Sequence, residues 1–454
     1  MFRVLVIALV AGGCGLERTG PLTAARIDLG DPSPVCPDGS LLVSTGTDSN
    51  GDRELQDDEV TTTTVVCEPA ATAGCSDRAH QATGPITLPL SPEREDKLRD
   101  VICIEGDVIV INSDEDEVHG LAQLAQVTGN VVLAGDPFMA SIDGLAELRT
   151  VGGTYLVQGN DDLADLHGLA GLASTGRLAF VANDHLPDLG GLEPLTAITG
   201  DLEITDNPEL ASLTGLQHVT NIHGDVVING NGALTNLAAL DRLTSADSVD
   251  ISHQLALTTI ALPGLQSLEH DLVIENDDGV VSLALPELAA VRDVHVTSNQ
   301  ALRDLALPAM HAMSSLEVTE DPSLAELSVG PAGTVDRVEL RSLPALTSVE
   351  MPKTTTIHKL ALDQVALADF SGFALTTLGE LSVTSCRALT SFTGLQVETL
   401  TSLRATDSGI KSFDGLDKLE TISGDFTFTG NQVKGEPVRA FVGHVRVGGS
   451  TTID

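Results

Sequence analysis

From residue 105 onward one eight-residue phrase returns along the chain, and it restricts the fold more than any other feature. Its clearest copies are Gly200-Asp201-Leu202-Glu203-Ile204-Thr205-Asp206-Asn207 and Gly224-Asp225-Val226-Val227-Ile228-Asn229-Gly230-Asn231. Others begin at Gly106, Gly129, Gly153, Gly176, Asp247, His270, Arg292, Ser314, Asp336, His358, Gly379, Thr401 and Gly424, making 15 copies spaced 21 to 24 residues apart. A fixed period of this length identifies a stack of repeats, each too small to bury its own apolar face. Within the phrase Leu202 and Ile204 point one way and Asp201, Glu203 and Thr205 the other, the alternation of a short strand buried on one face. Leu210, Leu213, Leu216, Val219 and Ile222 then return the chain at about three-residue spacing to fill the core.

The phrase closes on Asn or Asp, at Asp136, Asn160, Asn183, Asn207, Asn231, Asp277, Asn299, Asp321 and Asn431. A side-chain amide there is suited to satisfy turn backbone groups and stack on its neighbour in the next coil. From about Leu262 the return segment acquires Leu-Pro pairs (Leu262-Pro263, Leu285-Pro286, Leu307-Pro308, Leu343-Pro344) while the strand phrase continues. The expected fold is mainly β: a leucine-rich, right-handed solenoid of about 15 coils over 105–454, with one long parallel sheet, preceded by a small disulfide-bonded module. The apolar residues are Leu, Val, Ile and Ala, with no Trp and one Tyr, a set suited to narrow coils and poorly suited to a sugar-stacking platform.

The outward strand positions form the candidate binding surface. Their central residues run Ile109, Val132, Leu156, Ala179, Glu203, Val227, Asp250, Val273, His295, Glu317, Glu339, Ala361, Ser382, Arg404 and Thr427. The first four are apolar, an end fit to dock the N-terminal module or a partner. The following stretch is acidic, and Asp201, Glu203, Asp225, Asp250, Asp271 and Glu275 are its candidate binding residues, for cations or a basic protein. The formal charge of −41, from 24 basic and 65 acidic residues, excludes nucleic acid as an expected partner.

The N-terminus reads as an export signal over 1–13. Arg3 precedes the apolar run Val4 to Val10, and Ala11-Gly12-Gly13 precede Cys14. This resembles the lipobox of bacterial lipoproteins, with Ala11 where that family usually has Leu. The resemblance implies lipidation of Cys14, a tether over 14–34, and, through Gly15, the outer membrane and display at the cell surface. Of the other cysteines, Cys36, Cys67, Cys75 and Cys103 precede the repeats and Cys386 stands alone. Four cysteines allow three pairings; the nearest-neighbour one, Cys36–Cys67 and Cys75–Cys103, closes loops of about 30 residues, each contributing roughly 3 to 4 kcal/mol in an oxidising compartment. Cys386 reads as a buried thiol.

Between Cys36 and Cys67, in a module assigned to 35–68, Asp48, Asn50, Asp52, Glu54, Gln56 and Glu59 fall at positions 1, 3, 5, 7, 9 and 12 of a twelve-residue loop. The spacing resembles an EF-hand loop, which gathers oxygen ligands around Ca2+. Asp48, Asn50, Asp52, Glu54 and Glu59 are therefore the candidate calcium ligands, with Glu54 offering its carbonyl and Glu59 a bidentate carboxylate. Arg53 takes the place usual for Gly, and the flanks Leu41-Leu42-Val43 and Thr64-Val65-Val66 read as strands instead of helices. The segment 69–104 reads as the cap of the first coil, with a short helix Pro92 to Asp100 started by Ser91.

Cys75 through Ile111 resembles the opening of receptor L domains, relatives of leucine-rich repeats, and the Gly-Asp-Leu-x-Ile-x-x-Asn phrase resembles their repeat. What that implies is extracellular recognition without catalysis. The functional expectation is a lipid-anchored cell-envelope recognition or adhesion protein that binds a protein, with a glycan the weaker candidate. The alternatives are an envelope structural scaffold and a β-helix polysaccharide-acting enzyme, for which Arg337, Arg341 and Arg404 near Glu339 would supply the groove. H-E-x-x-H, G-x-S-x-G and P-loop motifs are absent from the sequence.

Overall fold

The computed structural model describes residues 22–30, 32–34, 36, 39–50, 54–67, 75, 81–88, 92–113 and 115–454. The signal segment, Cys14, Asp52, Arg53 and Ser91 lie outside them. The chain divides into two compact units, 1–243 and 244–454, and each is built from parallel β-solenoid turns.

In the first unit the phrase forms strands at Val108–Ile111, Val131–Ala134, Thr150–Gln158, Ser174–Val181, Leu202–Thr205 and Val226–Asn229. Equivalent phrase positions pair in parallel, so Leu178 lies beside Leu202 and Leu202 beside Val226. The return-segment residues Leu210, Leu213, Leu216, Val219 and Ile222 are all buried, each such side chain contributing roughly 1.5 to 3 kcal/mol of transfer free energy. In the second unit the same strands recur from Val249–Ser252 to Phe426–Thr429. Its return segments form a second parallel sheet, Thr259–Ala261, Ser282–Ala284, Asp304–Leu307, Glu326–Val329 and Ser348–Glu350. Each strand closes at an X-Pro pair, Leu-Pro in the first three, Gly330-Pro331 in the fourth and Met351-Pro352 in the fifth, while Leu343-Pro344 ends a strand of the first sheet. A residue before proline is held extended, which explains why the change of phrase becomes a change of backbone there.

The two units together hold about 17 turns, against the 15 phrases read from the sequence. One added strand is Ile86–Leu88, paired with Val108–Val110 and therefore inside the segment read as a cap. The other is Thr451–Ile453, paired with Phe426–Phe428. Neither carries the Gly-Asp opening. The helix α1, Pro92–Leu98, sits where the sequence placed it, and Cys75–Cys103 is bridged as is Cys36–Cys67. At the other end α2, Glu436–His444, stacks Phe441 on Phe413 with ring centroids 4.0 Å apart.

The closing Asn column explains how the turns stay in register. The side-chain oxygen of Asn183 accepts the backbone N–H of Asn160 (3.2 Å), Asn207 that of Asn183 (3.0 Å), and Asn231 that of Asn207 (3.1 Å). Each amide nitrogen donates in turn to a carbonyl of the preceding turn, Asn183 to Val157 and Asn207 to Phe180, both at 3.0 Å. The residue just before the column takes the left-handed conformation, as at Asn112, Asp206, Asn276 and Glu320. Cys386 occupies the column too: its N–H donates to the Ser408 hydroxyl, and burial pushes its thiol pKa up.

Candidate functional site

The site is the outward sheet face, and in the first unit part of it is already covered. Strands β1 (Leu22–Gly30), β2 (Ser40–Asp48) and β3 (Val60–Cys67) form an antiparallel sheet in the order β1-β2-β3. The residues 22–30 expected as tether are thus the outer strand of the module. Its inner face packs Ala25, Ile27, Leu41, Val43 and Val66 onto Ile109, Ile111, Val132, Ala134, Leu156, Ala179 and Val181. The four apolar centres of the opening turns are buried beneath it.

Polar groups fix where each strand sits. Asn112 bonds β1 twice through Ala25, accepting its N–H at 2.8 Å and donating to its carbonyl at 2.7 Å. Gln158 donates to the Val43 carbonyl (3.3 Å) and the Thr45 hydroxyl (2.9 Å) of β2. Arg177 donates to the Val65 carbonyl of β3 at 2.7 Å. Strand β1 crosses the turns: Ala25 lies at Asn112 and Gly135, and the Thr23 hydroxyl donates to Asp161, two turns beyond Asn112, at 2.5 Å. Gly135 makes the approach possible, since a side chain there would run into Ala25. None of Asn112, Gln158, Gly135 and Arg177 stood out in the sequence; the one available signal was that each occupies an outward or turn position of an early repeat whose centre is apolar.

Beyond the module the face is polar. Arg177 also pairs with Glu203 and lies 3.9 Å from Asp201. Asp201 in turn accepts the backbone N–H of Asp225 at 3.0 Å. These three candidate residues are brought together on adjacent turns, with Asp225 exposed and Asp201 and Glu203 half-buried. In the second unit Asp250, Asp271 and Glu275 also sit on adjacent strands. Burial raises the Asp250 pKa above the carboxylate range, against a hydrogen bond from Ser252. Asp271 is paired with Arg292 at 3.3 Å.

The arrangement considered for a polysaccharide-acting enzyme is an ion network. Glu339 is almost fully buried and meets Arg341 at 2.6 Å, Lys359 at 2.8 Å and Arg337 at 3.6 Å. Burial works to raise its pKa, but the Lys359 hydrogen bond and the three positive charges outweigh it and hold the carboxylate below its usual range. Arg404 lies three strands away in register, after Ala361 and Ser382.

The twelve-residue acidic loop joins β2 to β3. Asp48, its first position, ends β2 and is buried. The Glu59 carboxylate closes the loop, accepting the Ser49 hydroxyl (2.6 Å) and N–H (2.8 Å) and the Gln56 N–H (3.1 Å). The Ser49 hydroxyl chiefly, then these N–H groups, lower its pKa. Asn50 donates to Gln56 across the loop at 2.9 Å, and Glu54 is exposed. Among the described residues Glu115, Asp116 and His119 also bring ligand atoms within 4.8 Å of one another, on exposed surface.

No protein-family model matches the chain, and no curated protein matches it. Three solved structures are similar to parts of it. One is a leucine-rich-repeat protein of Leptospira interrogans, 13% identical, covering 80% of this chain and 99% of its own, at a TM-score of 0.24. Another is the TLR13–ssRNA13 complex, 15% identical, covering 81% of this chain and 62% of the other, at 0.22. The third is CroV588, a circular leucine-rich-repeat protein, 10% identical, covering 78% and 66%, at 0.20.

Proposed function

We propose that this repeat-based binding scaffold is a cell-envelope recognition or adhesion protein, anchored through lipid on Cys14 and displayed at the bacterial outer surface. Its partner is a protein, held on the polar part of the outward sheet face. One observation carries this reading: the apolar opening of that face already holds three strands of polypeptide, through buried side chains and through bonds from Asn112, Gln158 and Arg177 to strand backbone. The face is thus chemically equipped to bind extended chain, and its acidic continuation at Asp201, Glu203 and Asp225 selects a basic one. Ca2+ in the β2–β3 loop, through Asp48, Asn50, Asp52, Glu54 and Glu59, would brace the module on this face.

Protease accessibility of the full chain on intact cells, with Cys14→Ser as the comparison, tests the location. Cleavage of the anchored protein at the surface, and release of the variant to the medium, is the expected result. Protection until the outer membrane is broken would remove adhesion and leave an internal envelope scaffold.

A further inference from the structure

The outward face of the second unit gathers one cation more than its ion network requires. Glu339 holds the central outward position of the strand Thr334–Leu343, yet its side chain is only 4% exposed, because three cations cover it. A buried carboxylate needs a donor at each oxygen. Lys359 donates to Oε1 at 2.8 Å and Arg341 to Oε2 at 2.6 Å, which meets that need. Arg337 stands 3.6 Å from Oε1, beyond a hydrogen bond. Among the described residues these three cations form ion pairs with Glu339 alone. Asp363 is in register with Arg341 and Glu380 with Lys359, but neither lies within ion-pair distance of its neighbour. Glu317, in register with Glu339, faces His295 at 3.6 Å. One negative charge thus meets three half-exposed positive ones, and like charges this close repel unless a further anion joins them.

The surroundings of the cluster say which anion. Ala361 and then Ser382 follow Glu339 in register, so the face beside the cations is floored by small side chains. One residue past Arg341 the sheet edge opens into a groove of about 300 Å3, lined by Gln300, Glu320, Pro322, Ser342, Pro344 and Gln364. Ser342 follows Arg341 and Gln364 follows Asp363, so the groove adjoins the cluster along two neighbouring strands. Its two amides and its hydroxyl both donate and accept, and its two proline rings add apolar surface. Such a lining suits a neutral, hydroxylated body. The cluster suits a planar carboxylate, which arginine holds through two parallel N–H bonds. A bare inorganic anion would leave the groove unused.

We propose that the second unit binds a saccharide bearing a carboxylate, of the uronate class. The carboxylate sits among Arg337, Arg341 and Lys359 over Ala361, and the hydroxyls of the adjoining sugar enter the groove at Ser342 and Gln364. Glu339 is then a positioning residue, which gathers the cations and touches no ligand. Charge and hydrogen bonds hold such a ligand without an aromatic platform. The formal charge of −41 repels a polyanion, which limits the ligand to one carboxylate or a few. The site is separate from the protein-binding face proposed for the first unit and goes beyond that reading.

The test is calorimetric titration of the full chain, at fixed ionic strength, with the disaccharide of glucuronic acid and glucose. Cellobiose serves as its uncharged counterpart and inorganic phosphate as the bare oxyanion. Two variants complete the set: Arg337→Gln, which removes the cation that Glu339 does not need, and Gln364→Ala in the groove. Thermal unfolding of each variant checks its fold. The expected result is saturable binding of the acidic disaccharide and none of cellobiose. Arg337→Gln should weaken that binding by about tenfold or more and Gln364→Ala by about threefold, with melting temperatures unchanged. Phosphate should displace the disaccharide from the unaltered protein, a result that stands even if Arg337→Gln disturbs the face. Phosphate binding as tightly as the disaccharide, with both lost in Arg337→Gln, would overturn the saccharide and leave an anion site only. Cellobiose binding as tightly as the acidic disaccharide would overturn the role of the cations. Absence of binding, or binding unmoved by Arg337→Gln, would overturn the site.

Discussion

Replacing Asp277 and Asp321 by Asn should stabilise the protein at neutral pH. Both occupy the closing column, and both use one oxygen as an Asn would: Asp277 accepts the Gln254 N–H and Asp321 the Asn299 N–H, each at 2.7 Å. The difference is in the other atom. In the Asn turns a nitrogen donates there to a carbonyl of the preceding turn, as Asn299 does to Ile274 at 3.2 Å. In the Asp turns Oδ2 is buried without a partner, and the equivalent carbonyls, those of Ile251 and Val296, call for a donor. Only the protonated acid supplies one. Desolvation accordingly raises both pKa values from 3.8 to about 7, helped by Asp250 and Asp278 around Asp277 and by Glu320 beside Asp321. The folded state therefore holds a proton that the unfolded chain releases near pH 3.8. Stability falls as pH rises from about 3.8 to about 7 and is flat above, by up to roughly 4 kcal/mol per site at ~1.4 kcal/mol per pH unit. Asn donates at every pH and escapes this loss. Denaturant unfolding at pH 8 should show each variant more stable by about 2 to 4 kcal/mol, and at pH 4 the gain should nearly vanish. A loss at pH 8, or a gain equal at both pH values, would refute the argument that Oδ2 lacks a proton.

Other substitutions probe other contacts. Asn207→Ala should cost about 2 to 4 kcal/mol in unfolding free energy, because it strips the Asn183 N–H and the Phe180 carbonyl of their partner. Gly135→Val should lift the N-terminal sheet from the face, seen as faster hydrogen exchange at Ala25 and Val43 and binding of an apolar dye, since the left-handed backbone and Ala25 leave no room for a side chain. Calorimetric titration should show calcium binding by the intact loop and at least a tenfold loss in Glu59→Gln, which halves the charge-bearing oxygens at the closing position; unchanged heats would remove calcium from the account.

What the sequence made legible follows from range. Leu202, Ile204 and the leucines at 210, 213 and 216 announce strand and return by local period, so the repeat fold could be read without a structure. The Asn column was visible as an offset, and the same offset from Gly379 points to Cys386, which read as an isolated thiol until the column was seen in space. The turns at Ile86–Leu88 and Thr451–Ile453 lack the Gly-Asp opening, so counting that phrase passes over them. Strand β1 was hidden in a presumed tether, as its partner Asn112 lies 87 residues on. The apolar outward centres predicted that something would cover the opening turns, but only three-dimensional placement shows that cover ending at β3 beside Glu203.

The partner is proposed to bind on the outward face of the first unit. A photo-reactive phenylalanine analogue replacing Asp225, compared with one replacing Thr235 on the exposed return segment, tests this on living cells. Adducts to one protein from position 225 and not from position 235 are the predicted result. Equal adducts from both positions, or adducts from position 235 alone, would contradict it.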